Sequence, residues 1–97
     1  MAFDVDGAKI GSILVNRPHN QYFYVFDIKN VGGLRILYMH GVDLMDGQLF
    51  NTSYCHWHVT DIASAGELVE FFDYLKTHQL TIDLNLKTIR KEYNFNT

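Results

Sequence analysis

Up to about residue 60, apolar runs alternate with short polar or glycine-bearing stretches. The breaks fall at Asp6-Gly7, at Asn16-Arg17-Pro18-His19-Asn20, at Lys29-Asn30-Val31-Gly32-Gly33 and at Asp46-Gly47. Such breaks between apolar runs are the signature of hairpin connections. They predict four or five strands within residues 2–60. Residues 21–28 (QYFYVFDI) and 34–40 (LRILYMH) are dense in β-branched and aromatic side chains and are apolar at alternate and intervening positions. That pattern fits strands covered on both faces, so these two are the expected central strands.

From Ser64 the period changes. Leu68, Phe71, Phe72 and Leu75 fall at i, i+3, i+4 and i+7 and line up one face of a helix. Ser64 and Glu67 have the spacing of a capping box, which starts the helix near Ala65; its end is expected near His78. Beyond it, Leu80, Ile82, Leu84 and Leu86 alternate with Thr81, Asp83 and Asn85, the two-residue period of a strand with one wet face. Ile89, Tyr93 and Phe95 fit either a short strand or a helical turn. The expected architecture is a single α+β domain over residues 1–97: an antiparallel sheet of about five strands, one amphipathic helix on a face in β4-α-β order, and a final strand joining the sheet. No repeat, linker or low-complexity segment interrupts it.

Composition agrees with an ordinary folded core. The chain has 97 residues, 47% hydrophobic and 20% charged, with seven Phe, six Tyr and one Trp, and a chain of this length can enclose one core without a structural metal or a disulfide. Cys55 is the only cysteine. The first fifteen residues lack a basic segment followed by an apolar one, and no apolar run approaches the roughly 20 residues of a membrane span, so the expected location is the cytoplasm.

The densest chemistry is the stretch SYCHWHVTD, residues 53–61. As a strand it projects Cys55, Trp57 and Val59 to one side and Tyr54, His56, His58 and Thr60 to the other. That disfavours a Cys-His nucleophilic pair, whose base must lie within roughly 3 Å of the sulfur. His56 and His58, about 6 to 7 Å apart on one face, can converge on one ion, with Asp61 the nearest third ligand and His40 and Asp43 further candidates. Two imidazoles and a tyrosine decorating a solvent face is the plainer reading, and no cofactor is expected.

Charge adds a second candidate surface. Between Arg35 and Lys76 there is no lysine or arginine, whereas Asp43, Asp46, Asp61, Glu67, Glu70 and Asp73 lie in that interval; the sign reverses afterwards with Lys76, Lys87, Arg90 and Lys91. On the helix, Glu67, Glu70 and Asp73 are expected on the exposed side, with Tyr74 and Val69 flanking the apolar face. An acidic surface repels nucleic acid and steers basic proteins. A third candidate is an aromatic face of Tyr22, Tyr24 and Phe26, open to a partner, to a second subunit or to the folded-back tail, which with Arg35 and Tyr54 offers a small-molecule site.

No glycine-rich phosphate loop, Cys-x-x-Cys pair or nucleophile elbow is present. The expected function is therefore that of a small intracellular binding protein without catalysis. It would occupy a basic protein, such as a nucleic-acid-binding enzyme, through Asp43, Asp46, Asp61, Glu67, Glu70, Asp73 and Tyr74, as a stoichiometric inhibitor, an immunity protein or a phage counter-defence protein does. No direct contact with nucleic acid or membrane is expected, and homodimerisation is open. The alternative is a small-molecule or metal-binding protein centred on His56 and His58, with weak hydrolytic activity.

Overall fold

A computed structural model describes residues 7–54 and 61–92. The elements in chain order are β1 (Ile13–Asn16), a 3-10 turn (Arg17–His19), β2 (Gln21–Val31), β3 (Leu34–Asp43), β4 (Leu49–Tyr54), β5 (Asp61–Ile62), α1 (Ala65–Thr77), β6 (Leu80–Asp83) and β7 (Thr88–Lys91). The first five strands form one antiparallel sheet in the order β4-β3-β2-β1-β5. As expected, β2 and β3 are interior. Gly32 and Gly33 join them with φ of 58° and 80°. Positive φ at both central residues twists a two-residue turn to match its strands, and glycine adopts it without steric cost.

The alternation along β2 builds two cores. Tyr22 and Phe26 pack with Ile13, Val15 and Val42 under Phe71 and Leu75 of α1. Phe23 and Val25 point to the opposite face, with Leu14, Leu37, Met39 and Ala8. Both sets are buried, so Tyr22, Tyr24 and Phe26 do not form the open aromatic wall that the sequence suggested.

Between Val25 and Asp27 the register to β3 slips: Val25 faces Met39 whereas Asp27 faces Tyr38. Phe26 is the extra residue of a β-bulge, and it puts Phe26 and Asp27 on the same side of the sheet. Ile28 is thereby returned to the second core, opposite Leu37.

Helix α1 starts as its sequence dictates. The Ser64 hydroxyl accepts from the Glu67 amide at 3.3 Å while the Glu67 carboxylate accepts from the Ser64 amide at 2.9 Å. Only part of the expected apolar stripe faces inward. Phe71 and Leu75 are buried, but Phe72 is 48% exposed.

After α1 the structure departs from expectation. The strand read over residues 80–86 stops at Asp83, and its partner is β7 in a separate two-stranded sheet; it does not join the main sheet. Asp83 is the cause. Its Oδ1 accepts from the amides of Asn85 (3.0 Å) and Leu86 (2.9 Å), and its Oδ2 accepts from Arg90 Nε (2.9 Å). A carboxylate that bonds the backbone two and three residues ahead makes a turn, not a strand, and Leu84 and Leu86 are left exposed. The hairpin lies on the same face as α1, where Ile89 enters the first core. Residues 88–91 are thus strand; the tail residues Tyr93 and Phe95 lie outside the described residues. Among the described residues no helix is long and apolar enough to cross a membrane.

Candidate functional site

The six carboxylates of the cation-free interval divide into two groups. Arg17, in the 3-10 turn between β1 and β2, claims the first. Its Nε and Nη2 donate to the two carboxylate oxygens of Glu67, both at 2.8 Å, and its Nη1 donates to Asp61 at 3.0 Å. The fork geometry of guanidinium against carboxylate makes this a two-bond contact. It holds the Glu67 carboxyl down to about 2, chiefly through the Arg17 bond, with the Ser64 cap adding to it. The Arg17 pKa moves up for the same reason. Two of the six negative charges are therefore shared with one cation from a distant turn.

Asp43, Asp46, Glu70 and Asp73 remain. Asp43 Oδ1 accepts from the Met45 amide at 2.8 Å, and Asp46 Oδ1 accepts from the Gln48 amide at 2.9 Å, so both shape the β3–β4 turn. The turn is held to the rest of the fold by the Leu44 amide, which donates to the Asn20 carbonyl at 3.1 Å. It also abuts the helix: a Cβ at Gly47 would sit 3.2 Å from the Tyr74 hydroxyl. A cleft of about 280 Å³ lies at this junction, lined by Asn20, Leu44, Glu70, Asp73, Tyr74, Thr77 and His78. The Tyr74 and His78 rings stack with centroids 3.9 Å apart, and His78 Nδ1 is 3.0 Å from the Tyr74 carbonyl.

The same stretch of α1 carries apolar surface. Val69 is 71% and Phe72 48% exposed, and with Leu68, Asp73 and Lys76 they line a shallow groove of about 380 Å³. Asp73 borders both hollows. Val69 was visible only as a residue flanking the apolar face, and Phe72 was assigned to the core. Asn20, Leu44 and Thr77 had no local signal, and Arg17 lies 44 and 50 residues from its partners.

The alternative site is centred on residues outside the described part of the chain. Cys55, His56, Trp57 and His58 lie outside the described residues; Tyr54 ends β4, opposite Leu37. The other proposed ligands have structural partners: Asp61 binds Arg17, and Asp43 binds its own turn. His40 is buried, with Nδ1 accepting from the Ile89 amide at 3.2 Å. Among the described residues no three His, Cys, Asp or Glu side chains gather to hold a metal.

Of the small-molecule set, Tyr22 and Tyr24 are not brought together with Arg35. Tyr22 is 2% exposed, stacked on Phe71 at 5.4 Å between centroids. Tyr24 lies tilted on Phe26. Arg35 projects to the opposite face, where Nη2 donates to the Ala8 carbonyl. The sheet therefore stands between Arg35 and those rings, for the simple reason that odd and even positions of paired strands point opposite ways.

No protein-family model, no curated protein and no solved structure matches the chain.

Proposed function

We propose that the protein is a binding module without catalysis that occupies a basic protein through the outer surface of α1, as a stoichiometric inhibitor does. The observation that carries this is the exposure of Phe72 and Val69 beside Asp73 and Glu70. Protein interfaces combine a desolvated apolar or aromatic centre with a polar rim, and one or two aromatic anchors supply most of the affinity. Here Phe72 and Val69 are the centre. Glu70 and Asp73, with Tyr74 and the turn carboxylates Asp43 and Asp46, form an acidic rim that favours lysine- and arginine-rich partners and disfavours nucleic acid. Asp61 and Glu67, tied to Arg17, contribute less.

Affinity capture from host extract should be run in parallel with wild type, Phe72→Ala and the double variant Glu70→Lys/Asp73→Lys. The expected result is a basic protein retained by wild type, weakened by raised salt, and lost from both variants. A partner retained equally by all three would refute the assignment of this surface. For the recovered protein, charge reversal should slow association chiefly, and Phe72→Ala should speed dissociation.

A further inference from the structure

On the far side of the β6–β7 hairpin from α1, a second cleft of about 260 Å³ is lined by residues of β2, β3 and β4 together with Lys87 of the hairpin turn. The β-bulge makes it. By putting Phe26 and Asp27 on one face, the bulge sets an apolar side chain at the floor and a carboxylate at the rim. Phe26, 7% exposed, is the floor, and the Tyr38 ring, 37% exposed and on the same face, is the wall. Bulges commonly re-aim side chains at sites of this kind.

The rim carries two ammonium groups, each held by a different device. Lys87 Nζ is 3.4 Å from Asp27 Oδ2. Lys29 Nζ stands over the Tyr38 ring, 5.4 Å from its centroid. Asn51 adds an amide to the lining. Asp27 is kept ionised, first by the Ile28 amide that donates to it and then by the charges of Lys87 and Lys29, against some desolvation. Two cations and one carboxylate leave a surplus of one positive charge over an apolar floor, inside a chain whose net charge is −3.

We propose that this cleft binds a small organic anion, with its ring-sized apolar body against Phe26 and Tyr38 and a single carboxylate or phosphate between Lys29 and Lys87. An ammonium offers three donors, and the loose ion pair to Asp27 uses only one of those on Lys87. The floor supplies apolar contact and the paired lysines supply orientation, the division of labour found in small-molecule pockets. The volume admits a single ring with its substituent. Asp27 competes with the ligand for Lys87, so it sets affinity from the rim.

The test titrates benzoate, phenyl phosphate and the neutral isostere benzamide into the full chain, followed by amide chemical shifts. The expected result is a Kd of the order of 1 mM for at least one anion, shifts centred on Asp27, Tyr38 and Asn51, and no saturable binding of benzamide. Preference between benzoate and phenyl phosphate identifies the head group. Lys87→Gln should weaken the preferred anion about tenfold, the loss expected for one charge-assisted bond. Asp27→Asn should strengthen it several-fold, because the amide oxygen still accepts from Ile28 while the competing charge is gone. Benzamide binding as tightly as the anions, shifts centred elsewhere, or weaker binding in Asp27→Asn would each overturn the proposal.

Discussion

Nδ1 of His40 accepts the amide hydrogen of Ile89 over 3.2 Å, and so ties the β6–β7 hairpin to the centre of the main sheet. A backbone amide can only donate. The imidazole must therefore be neutral, with its proton on Nε2. Burial acts in the same direction and lowers the His40 pKa below its ordinary value of 6.5.

That relationship carries a pH dependence whose sign follows from linkage. A base with a depressed folded-state pKa binds protons more readily when unfolded, so stability rises with pH through that window. The His40 contribution should be complete above about 6.5 and should fall as the pH drops toward the folded-state pKa. Urea midpoints at pH 7.5, 6.5 and 5.5 check this. His40→Asn keeps an acceptor but cannot titrate, and should flatten the profile over that range.

Arg17 provides a second, separable window. Glu67, at about 2 instead of its ordinary 4.5, contributes stability above 4.5 that disappears as the pH falls toward 2. In Arg17→Met the Glu67 pKa should rise from about 2 toward its ordinary 4.5, as followed by carboxyl carbon shifts. Amide exchange over residues 64–68 should accelerate, since the helix start would retain only its own cap.

Gly41 is required by a side chain across the strand. A Cβ there would lie 2.6 and 2.8 Å from Phe23 ring atoms and 3.0 Å from the Tyr22 carbonyl oxygen, and Phe23 is fully buried. Gly41→Ala should cost about 1 to 3 kcal/mol by overpacking. Phe23→Leu in the same chain should recover part of that loss, a non-additive pair in a double-mutant cycle of thermal or urea unfolding.

Phe71 and Phe72 are adjacent, equally apolar and energetically unequal. Phe71→Ala should cost about 3 to 5 kcal/mol, the range for emptying a buried aromatic site. Phe72→Ala should cost about 1 kcal/mol, mostly its edge contact with Phe71 at 5.3 Å. Equal losses on urea unfolding would place Phe72 in the core and remove the anchor of the proposed interface.

The contrast between these two residues shows where the sequence is legible. Local chemistry sufficed for the capping box at Ser64 and Glu67, the double-glycine turn at Gly32 and Gly33, and the central pair β2 and β3. Each depends on backbone geometry within a few residues, so composition and spacing carry the information. The one-signed interval from Asp43 to Asp73 was legible only as a count. Which of its charges remain available was decided by Arg17, which reaches Asp61 and Glu67 across 44 and 50 residues.

By itself, the sequence determined that this chain forms an antiparallel sheet with one capped helix, because periodicity and turn residues act through neighbouring peptide units. Tertiary structure alone decided which apolar residues of that helix stay outside, where the last strand turns back, and how a bulge at Phe26 sets two lysines and a carboxylate around an apolar floor. Those outcomes depend on what packs against each side chain from far along the chain, and a free carboxylate differs from a paired one only by the distance to its nearest cation.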